Sequence, residues 1–359
     1  MRLELSVAGD VPLAARTTLG VGGRARWLAD ARSSHDVAAA QAWCEARGCN
    51  LFVLGGGSNL VVADEGFDGL VLSMRVRQLQ FQTDDAAVML AGAGEPWDDC
   101  VAAAVGRGLT GIECLSGIPG QVGGTPIQNV GAYGQDVSQT IHSVCAFDRS
   151  SGRMVDLAAA DCHFGYRTSR FKSVDAGRFI VTSVTFGLRR ELAAPTYPDV
   201  VTYLRERAIE APTAVDVRQA VLSIRRRKGM VVDEADPDTR SVGSFFMNPV
   251  VALDACARIA SVAGAMPPTF GVDAEHVKVP AAWLIESAGF RKGDADGAVG
   301  ISTRHPLALV NRGGATARDV LRLAARIKRR VLDRYAVSLR PEPIFVGFGR
   351  DPGVEFLLS

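Results

Sequence analysis

The sequence predicts an α+β fold with more than one β-sheet. Strand-like apolar runs and helix-like amphipathic runs alternate along the whole chain. The length of 359 residues exceeds one ordinary hydrophobic core and indicates two or three domains. Hydrophobic residues make up 47% of the chain and charged residues 22%, as in ordinary globular proteins, and no internal repeat occurs.

The first segment is predicted as strand, helix and strand. Ser33 and Asp36 are spaced as a helix-capping pair, apolar residues then recur at helical spacing, and Gly48 ends the helix. Strand patterns before and after this helix cover residues 25–29, 51–54, 60–62 and 70–74.

The middle segment contains many short strands and few helices. One helix is predicted to begin near Pro96, as a first-turn proline, and to end at Gly106 and Gly108. The pattern weakens over residues 190–215, where prolines indicate an inserted loop, and helical spacing returns over residues 218–228. The strands predicted here are residues 87–91, 141–147 and 178–188.

The last segment returns to clear helix signals. A helix over residues 280–287 stops at Gly289. A longer helix begins at the cap Thr316, with Asp319 three residues further on, and runs to Tyr335. The chain is predicted to finish in a strand over residues 344–348.

Composition argues against several classes of function. Lys plus Arg (40) nearly equals Asp plus Glu (39), so we expect no nucleic-acid partner and no membrane partner. The first residues lack the apolar stretch of a signal peptide, and no run approaches the ~18 apolar residues of a membrane span. The seven scattered cysteines lack a C-x-x-C pair and indicate a reduced, cytoplasmic protein. The five histidines lack ligand spacing, so no metal is expected.

Three glycine-rich stretches are candidates for binding a phosphate through backbone N–H groups: residues 20–23, 55–59 and 117–134. No G-x-x-x-x-G-K-[ST] motif is present, and residues 55–59 lead into a strand instead of opening a helix, so the dinucleotide fingerprint fails. A single glycine cluster is more often a set of tight turns. The third stretch also contains Gln128 and Asn129, which suit the polar edge of a flavin or a sugar, and its glycine density favours a ligand.

Six motifs occur in an order that matches one known enzyme family. They are LGGGSN (54–59), LSGIPGQVGGTPIQNVGAYG (115–134), FGYRTSRFK (164–172), GSFFMNP (243–249), AAWLIESAG (281–289) and RPEPIFVG (340–347). With these motifs the sequence resembles the UDP-N-acetylenolpyruvoylglucosamine reductases over nearly its whole length, from Thr18 to Phe348.

The resemblance implies three domains and two cofactors. Residues 1–75 with the C-terminal strand 343–359, and residues 76–229, would form an FAD-binding scaffold like that of vanillyl-alcohol-oxidase-type flavoproteins. Residues 230–342 would be an α+β domain that binds the UDP-sugar. FAD, bound non-covalently and recharged by NADPH, would reduce UDP-N-acetylglucosamine enolpyruvate to UDP-N-acetylmuramate for peptidoglycan. The residues that would bind FAD are Gly55, Gly56, Gly57, Ser58, Asn59, Ser116, Gly117, Ile118, Pro119, Gly123, Gly124, Gln128, Asn129, Gly131, Ala132 and Tyr133.

The resemblance also implies three catalytic residues. Arg167 would grip the substrate carboxylate, where an arbitrary arginine would more often form a surface salt bridge. Glu342 would work beside it, protonated or sharing a proton; without the resemblance it would be a plain loop glutamate between two prolines. Ser244 would protonate the substrate carbanion, although an isolated Gly-Ser is more often a turn or a cap.

Substrate contacts follow from the same resemblance. Tyr197 falls in a loop that marks one of the family's two types. Lys228 and Arg225 belong to a basic run that would ordinarily be a solvated helix face, but here they would point to the diphosphate or to the NADPH phosphates. Gln121 replaces a small hydroxyl residue, and Met247 stands where a lysine is common. The complete set is Tyr166, Tyr197, Arg225, Lys228, Asn248 and Lys278.

Two other functions stay open on the sequence. One is an oxidase on the same scaffold that uses oxygen as acceptor, with a covalent flavin link at Cys114 not excluded, whereas no histidine lies in the glycine-rich loops. The other is a nucleotide-sugar sensor that has lost its chemistry, against which the joint presence of the three catalytic residues argues. We expect a cytoplasmic monomer whose partners are small molecules.

Overall fold

The computed structural model describes residues 5–82, 84 and 86–359 and confirms the α+β class. The strands in chain order are β1 (Val7–Pro12), β2 (Arg24–Ala31), β3 (Asn50–Leu54), β4 (Leu60–Val62), β5 (Phe67–Met74), β6 (Leu79–Gln82), β7 (Val88–Gly92), β8 (Gly131–Ala132), β9 (Gln135–Asp136), β10 (Ile141–Asp148), β11 (Arg153–Ala158), β12 (Phe179–Gly187), β13 (Ser241–Ser244), β14 (Val250–Ala252), β15 (Phe270–Gly271), β16 (His276–Lys278), β17 (Ala295–Asp296), β18 (Val299–Ile301), β19 (Ala308–Asn311) and β20 (Ile344–Val346). The α-helices are α1 (Ser34–Glu45), α2 (Trp97–Val105), α3 (Pro198–Glu206), α4 (Ala214–Arg227), α5 (Leu253–Ala263), α6 (Ala281–Ser287), α7 (Ala317–Tyr335) and α8 (Pro352–Leu358).

The chain divides into two compact units, each built from separate stretches of sequence. Unit 1 comprises Met1–Val11, Ala25–Gly57 and Asp68–Val231. Unit 2 comprises Pro12–Arg24, Ser58–Phe67 and Val232–Ser359. Each unit therefore combines distant parts of the chain.

Unit 1 contains a sheet in the order β1-β2-β5-β3, in which β3 and β5 run parallel, and an antiparallel sheet in the order β11-β10-β12-β7-β6. Its core includes Trp97 of α2, whose ring centroid lies 5.6 Å from that of Phe186. The Trp97 indole N–H donates to the carbonyl of Leu115 at 3.1 Å. Burying this indole therefore also fixes the chain just before the glycine-rich stretch 117–134.

Unit 2 contains an antiparallel sheet in the order β13-β19-β18-β17, and the parallel pair of β4 with β20. Helix α7 supplies a long buried stripe in its core, with Val320, Ala324, Ile327 and Val331 at helical spacing. Because β20 pairs with β4, the last motif of the chain lies directly beside Asn59, whose carbonyl accepts the Ile344 N–H at 3.0 Å.

Several local predictions are confirmed. Ser33 accepts a hydrogen bond from the Asp36 backbone N–H at 3.2 Å and caps α1. Thr316 and Asp319 form a capping box at the start of α7. The strands predicted over residues 51–54, 60–62, 70–74 and 141–147 lie within β3, β4, β5 and β10.

Other local predictions need correction. The segment 190–215 is not only a loop, because α3 forms inside it, with Pro198 as its first residue and Val200 and Leu204 buried. Helix α4 begins at Ala214, earlier than predicted, because Thr213 and Asp216 form a capping box. Pro96 is the N-cap of α2 and not a first-turn residue. The last strand ends at Val346.

Two further findings concern the chain as a whole. None of the helices in the described ranges is long and apolar enough to cross a membrane. All seven cysteines lie in described parts of the chain and carry free thiols.

Candidate cofactor and substrate site

In unit 1 the glycines after β3 lie against the glycine-rich stretch 117–134, which is the second of the two predicted cofactor loops. A Cβ atom built on Gly56 would lie 2.7 Å from the Cα atom of Gly120, which is closer than real Cβ atoms approach. A side chain at position 56 would therefore force the two loops apart. Gly55 and Gly56 are exposed, so their backbone is accessible to a ligand. The sequence predicted both loops as parts of one cofactor site, and the structure brings them together.

Asp98 anchors the start of the glycine-rich stretch 117–134. Its carboxylate accepts the Gly117 backbone N–H at 2.6 Å and takes two hydrogen bonds from Arg218, at 2.6 and 2.9 Å. Burial would raise the pKa of Asp98, but the Arg218 and Gly117 hydrogen bonds outweigh it and hold the pKa below its usual value. Sequence reasoning missed both Asp98 and Arg218, because their pairing joins α2 to α4 and leaves no local signal.

Glu113 fixes the chain that enters this loop. Its buried carboxylate accepts the Gly111 N–H at 2.6 Å and the Gln135 side-chain amide at 2.5 Å. The backbone carbonyl of Glu113 accepts the hydroxyl of Ser116 at 2.6 Å. The Ser116 hydroxyl, predicted to face the cofactor, therefore donates within the protein. Glu113 and Gln135 are further residues that the sequence did not single out.

Asn129 joins the glycine-rich loop to the Arg167 turn. Its backbone is left-handed, with φ of 47°, and its side-chain amide donates to the Gly165 carbonyl at 3.1 Å. Its amide oxygen accepts the Ser138 N–H at 3.1 Å. Asn129 was predicted to bind FAD, and its buried side chain holds the loop in place.

Arg167 lies in a tight turn that Gly165 and Thr168 close through two backbone hydrogen bonds of 3.0 and 3.3 Å. Its φ of 55° is a left-handed conformation that a long side chain seldom adopts, and such strain concentrates at functional sites. A Cβ built on Gly131 would lie 3.4 Å from Nη1 of Arg167. The guanidinium of the predicted catalytic arginine therefore lies next to Gly131 of the predicted cofactor loop. Tyr166, just before it, is 49% exposed.

A cluster of basic and aromatic side chains forms where α3 and α4 meet the loop. The Tyr133 and Tyr197 rings pack edge to face with centroids 5.1 Å apart, and Lys228 lies 5.8 Å from the Tyr133 ring. The Lys228 ammonium donates to Asp199 at 2.7 Å. Burial lowers the pKa of Lys228, but the Asp199 partner outweighs it and raises the pKa above its usual value.

Arg225 is the most enclosed member of the basic run. Its guanidinium donates to the Met230 carbonyl at 2.7 Å, while its Nε is buried and has no acceptor among the residues that the structure describes. Burial lowers the pKa of Arg225. A Cβ built on Gly117 would lie 3.4 Å from this Nε. Arg225 and Lys228 are half-buried and Arg226 and Arg227 exposed, which agrees with the predicted inward orientation of the first two.

In unit 2 the predicted residues Ser244 and Glu342 lie on neighbouring chain segments. The Glu342 N–H donates to the Phe245 carbonyl at 2.9 Å, and Phe246 pairs with Pro341. Both Ser244 and Glu342 are half-buried. The backbone therefore brings together two residues that are far apart in sequence.

Asn59 is the last residue of the LGGGSN motif (54–59) and belongs to unit 2. Its side-chain amide donates to the Glu342 carbonyl at 3.3 Å, and its own carbonyl accepts the Ile344 N–H at 3.0 Å. Parallel pairing of β4 with β20 continues from this point. Asn59 thus ties Ser58 and the loop end to the predicted catalytic glutamate.

Asn248 and Lys278, both predicted to contact substrate, have clear places in unit 2. The Asn248 side-chain oxygen accepts the Ala281 N–H at 2.9 Å and so caps α6. Lys278 is half-buried on β16, where it lies opposite Val250 and Phe270. The side-chain oxygen of Asn248 therefore stabilises the start of α6.

The comparisons with known proteins first define a class. A model of the FAD binding domain matches residues 26–158, which contain both glycine-rich stretches 55–59 and 117–134. A model described as the C-terminal domain of UDP-N-acetylenolpyruvoylglucosamine reductase matches residues 236–346, which contain Ser244 and Glu342. The class is thus that of an FAD-dependent oxidoreductase.

Full-length relatives give the family. The chain is 49% identical to the UDP-N-acetylenolpyruvoylglucosamine reductase of Thermobifida fusca over 96% of this chain and 99% of the relative, and 46% identical to that of Streptomyces coelicolor over 94% and 90%. The crystal structure of the Thermus caldophilus reductase matches with a TM-score of 0.65 at 27% identity, over 96% of this chain and all of that chain. This chain belongs to the UDP-N-acetylenolpyruvoylglucosamine reductase family, whose place is in peptidoglycan precursor synthesis.

Proposed function

We propose that this chain uses NADPH to reduce UDP-N-acetylglucosamine enolpyruvate to UDP-N-acetylmuramate, with Arg167, Ser244 and Glu342 as its catalytic residues. The observation that carries the proposal is the pairing of the Ser244 and Glu342 segments through the Glu342 N–H and the Phe245 carbonyl, at 2.9 Å. It supports a shared role for two residues that only the resemblance had linked. FAD, when bound, supplies the hydride for the terminal carbon of the enolpyruvyl group and is recharged by NADPH.

The glycine loops of unit 1 fit such a cofactor. The Gly56–Gly120 contact leaves bare backbone at the loop surface, and the buried Arg225 Nε is a donor suited to an anionic group. We propose that the sixteen residues named from the resemblance, from Gly55 to Tyr133, hold FAD, those with engaged side chains through their backbone. This includes Ser116 and Asn129, whose polar side chains bond within the protein.

We propose that FAD is bound without a covalent link. Cys114 is the cysteine beside the glycine-rich loop, and it is buried in an apolar cluster with Val200, Leu204 and Val221. Burial raises the pKa of the Cys114 thiol to about 12, so the reactive thiolate is scarce at neutral pH. This supports the reductase over an oxidase with a cysteinyl flavin.

Arg167 would bind the substrate carboxylate. A guanidinium grips a carboxylate through two parallel hydrogen bonds and stays charged at every working pH. It would therefore stabilise the negative charge that spreads onto the carboxylate as hydride adds. The strained φ of 55° supports this role, because the fold maintains it at a cost.

Ser244 and Glu342 would complete the reduction. The Ser244 hydroxyl would give its proton to the carbon next to the carboxylate, which is a strong base once hydride has added. Glu342 would act beside the substrate carboxylate together with Arg167. The half-buried setting of both side chains supports proton exchange with solvent between turnovers.

The remaining expectations concern ligands and organisation. We propose that Tyr166, Tyr197, Arg225, Lys228, Asn248 and Lys278 contact the UDP-sugar or NADPH, and that Tyr197 marks the family type with the extra loop. The domain limits 1–75 with 343–359, 76–229 and 230–342 are proposed with them. The C-terminal family model over 236–346 supports the last of these limits. We propose a cytoplasmic monomer, and the free thiols support a reducing compartment.

The experiment that tests the proposal separates the two half-reactions in Ser244→Ala. We expect NADPH to reduce the flavin at the wild-type rate, and the enolpyruvyl sugar to reoxidise it about a hundredfold more slowly or worse. Ser261→Ala, on the exposed face of α5, is the matched control and should behave as wild type. Normal reoxidation in Ser244→Ala would remove Ser244 as the proton donor. A wild-type protein that binds the ligands but carries out neither half-reaction would favour the sensor.

A further inference from the structure

Gln121 holds a buried polar atom at the junction of the two glycine loops. Its backbone is fixed, because its carbonyl accepts the Gly124 N–H at 3.0 Å and it pairs with Pro96. A Cβ built on Gly55 would lie 3.5 Å from the Gln121 side-chain oxygen, Oε1. This oxygen is buried, and no hydrogen-bond donor reaches it from any residue in the described ranges.

An unsatisfied amide oxygen costs free energy, so such atoms are rare in proteins and call for an explanation. The surroundings of this one point to a ligand. It lies beside the exposed glycines Gly55 and Gly56, which leave room for another molecule, and the loop carrying it is closed against Gly56 by the Gly120 contact.

We propose that Gln121 is a cofactor-binding residue, whose Oε1 accepts a hydrogen bond from an N–H or O–H donor of FAD. Phosphate oxygens only accept hydrogen bonds, so the partner is a nitrogen or hydroxyl group of the cofactor. FAD offers the ring N–H, the ribityl and ribose hydroxyls and the adenine amino group. The proposal rests on the proposed function, in which FAD is the cofactor.

The test compares Gln121→Met, which keeps the length of the side chain and removes the acceptor, with Gln219→Met on the exposed face of α4. The dissociation constant for FAD is measured by flavin fluorescence on apoprotein, together with the thermal midpoint of the apoprotein. We expect Gln121→Met to weaken FAD binding about tenfold, because the cofactor donor loses its partner. The apoprotein midpoint should be equal to or above that of the wild type, since an unsatisfied oxygen is removed. Gln219→Met should match the wild type in both.

The absorption spectrum and the midpoint potential of bound flavin identify the donor. If the donor is the ring N–H, both shift in Gln121→Met; if it is a hydroxyl or the adenine amino group, only the dissociation constant changes. Either result supports the proposal.

Three results would overturn it. One is an unchanged dissociation constant for FAD together with an unchanged KM for the enolpyruvyl sugar in Gln121→Met. Another is a lower apoprotein midpoint that accompanies weaker binding, which would make Gln121 a structural residue. The third is unchanged FAD binding with a raised KM for the enolpyruvyl sugar, which would assign Gln121 to the substrate. Failure of the wild-type protein to bind FAD would instead contradict the proposed function, and this control is read first.

Discussion

Asp98 illustrates how a residue outside the site controls it. It receives the Gly117 N–H of the cofactor loop and the fork of Arg218 at the same carboxylate. Without the charge of Asp98 the loop would lose its anchor, and Arg218 would lose its counter-ion. Asp98 is thus a positioning residue, since it acts on the cofactor only through the loop.

We expect Asp98→Asn to lower the free energy of unfolding at neutral pH by about 1–2 kcal/mol, a value reduced for partial solvent screening. The pKa of Asp98 is lowered in the folded state, so its contribution is present above the ordinary pKa of 3.8 and is lost as the pH falls through the lowered value. Urea unfolding of both proteins at neutral and acidic pH measures this.

The matched control is Asp254→Asn, which breaks the exposed pair with Arg258 on α5 and should change stability little. A stability difference between wild type and Asp98→Asn that persisted unchanged well below pH 3.8 would contradict the assignment of Asp98 as a charged anchor.

Lys228 is expected to bind phosphate groups of a ligand. Lys228→Met should raise the dissociation constant for NADPH or for the UDP-sugar by about tenfold, because a charge-assisted hydrogen bond is lost. Titration of the flavin spectrum with each ligand measures this. Arg227→Met changes an exposed residue of the same basic run and should leave both constants nearly unchanged. Equal effects of the two substitutions would show that Lys228 contributes only general positive charge and makes no specific contact with the ligand.

At the scale of residues, the roles assigned to the site came from motifs and stay predictions. The structure places the Ser244 and Glu342 segments side by side, which neither periodicity nor spacing could have predicted. Asn129 and Asn248 make structural contacts that the sequence did not predict, because their amides stabilise the loop and cap α6. A sequence does not reveal whether a polar side chain meets a ligand or a backbone group.

At the scale of elements, helix caps were the most predictable feature. Two residues accept hydrogen bonds from the first N–H groups of α7. Thr316 accepts the Asp319 N–H at 3.1 Å, and Asp64 accepts the N–H groups of Ala317 and Arg318 at 2.7 and 3.1 Å. The Thr316 part is local in sequence and was predicted. The Asp64 part comes from a distant segment and was not.

Thr316→Ala should destabilise unit 2 by about 1 kcal/mol, because one N–H of the first turn loses its acceptor. Thr316→Ser keeps the hydroxyl and should restore most of this stability. Thermal or urea unfolding measures both variants. Equal losses for alanine and serine would show that the methyl group of Thr316, and not its hydroxyl, stabilises the helix.

Helices α3, α5 and α8 were missed for a common reason. Each is short and has few buried residues: Val200 and Leu204 in α3, Cys256 and Ile259 in α5, and Val354 and Leu357 in α8. Such brief apolar patterns resemble those of loops, and short helices draw their stability from packing against other elements. Prolines near α3 obscured its pattern further, although Pro198 in fact begins it.

At the scale of the whole molecule, the interleaved strands and helices predicted the α+β class, and the structure confirms it. The pairing of sheets could not be predicted in the same way. β20 pairs with β4, although the two strands are far apart in the sequence. β3 pairs with β5, although β4 lies between them in the sequence. Such contacts depend on chain topology, and no local window of sequence contains them.

The most direct test of the proposed reduction is the anaerobic absorbance of the flavin-loaded protein during stepwise addition of NADPH and then of UDP-N-acetylglucosamine enolpyruvate. We expect NADPH to bleach the yellow flavin and the enolpyruvyl sugar to restore the colour without oxygen. A flavin that bleaches with NADPH and regains its colour only when oxygen is admitted would contradict the proposed reduction and would identify an oxidase.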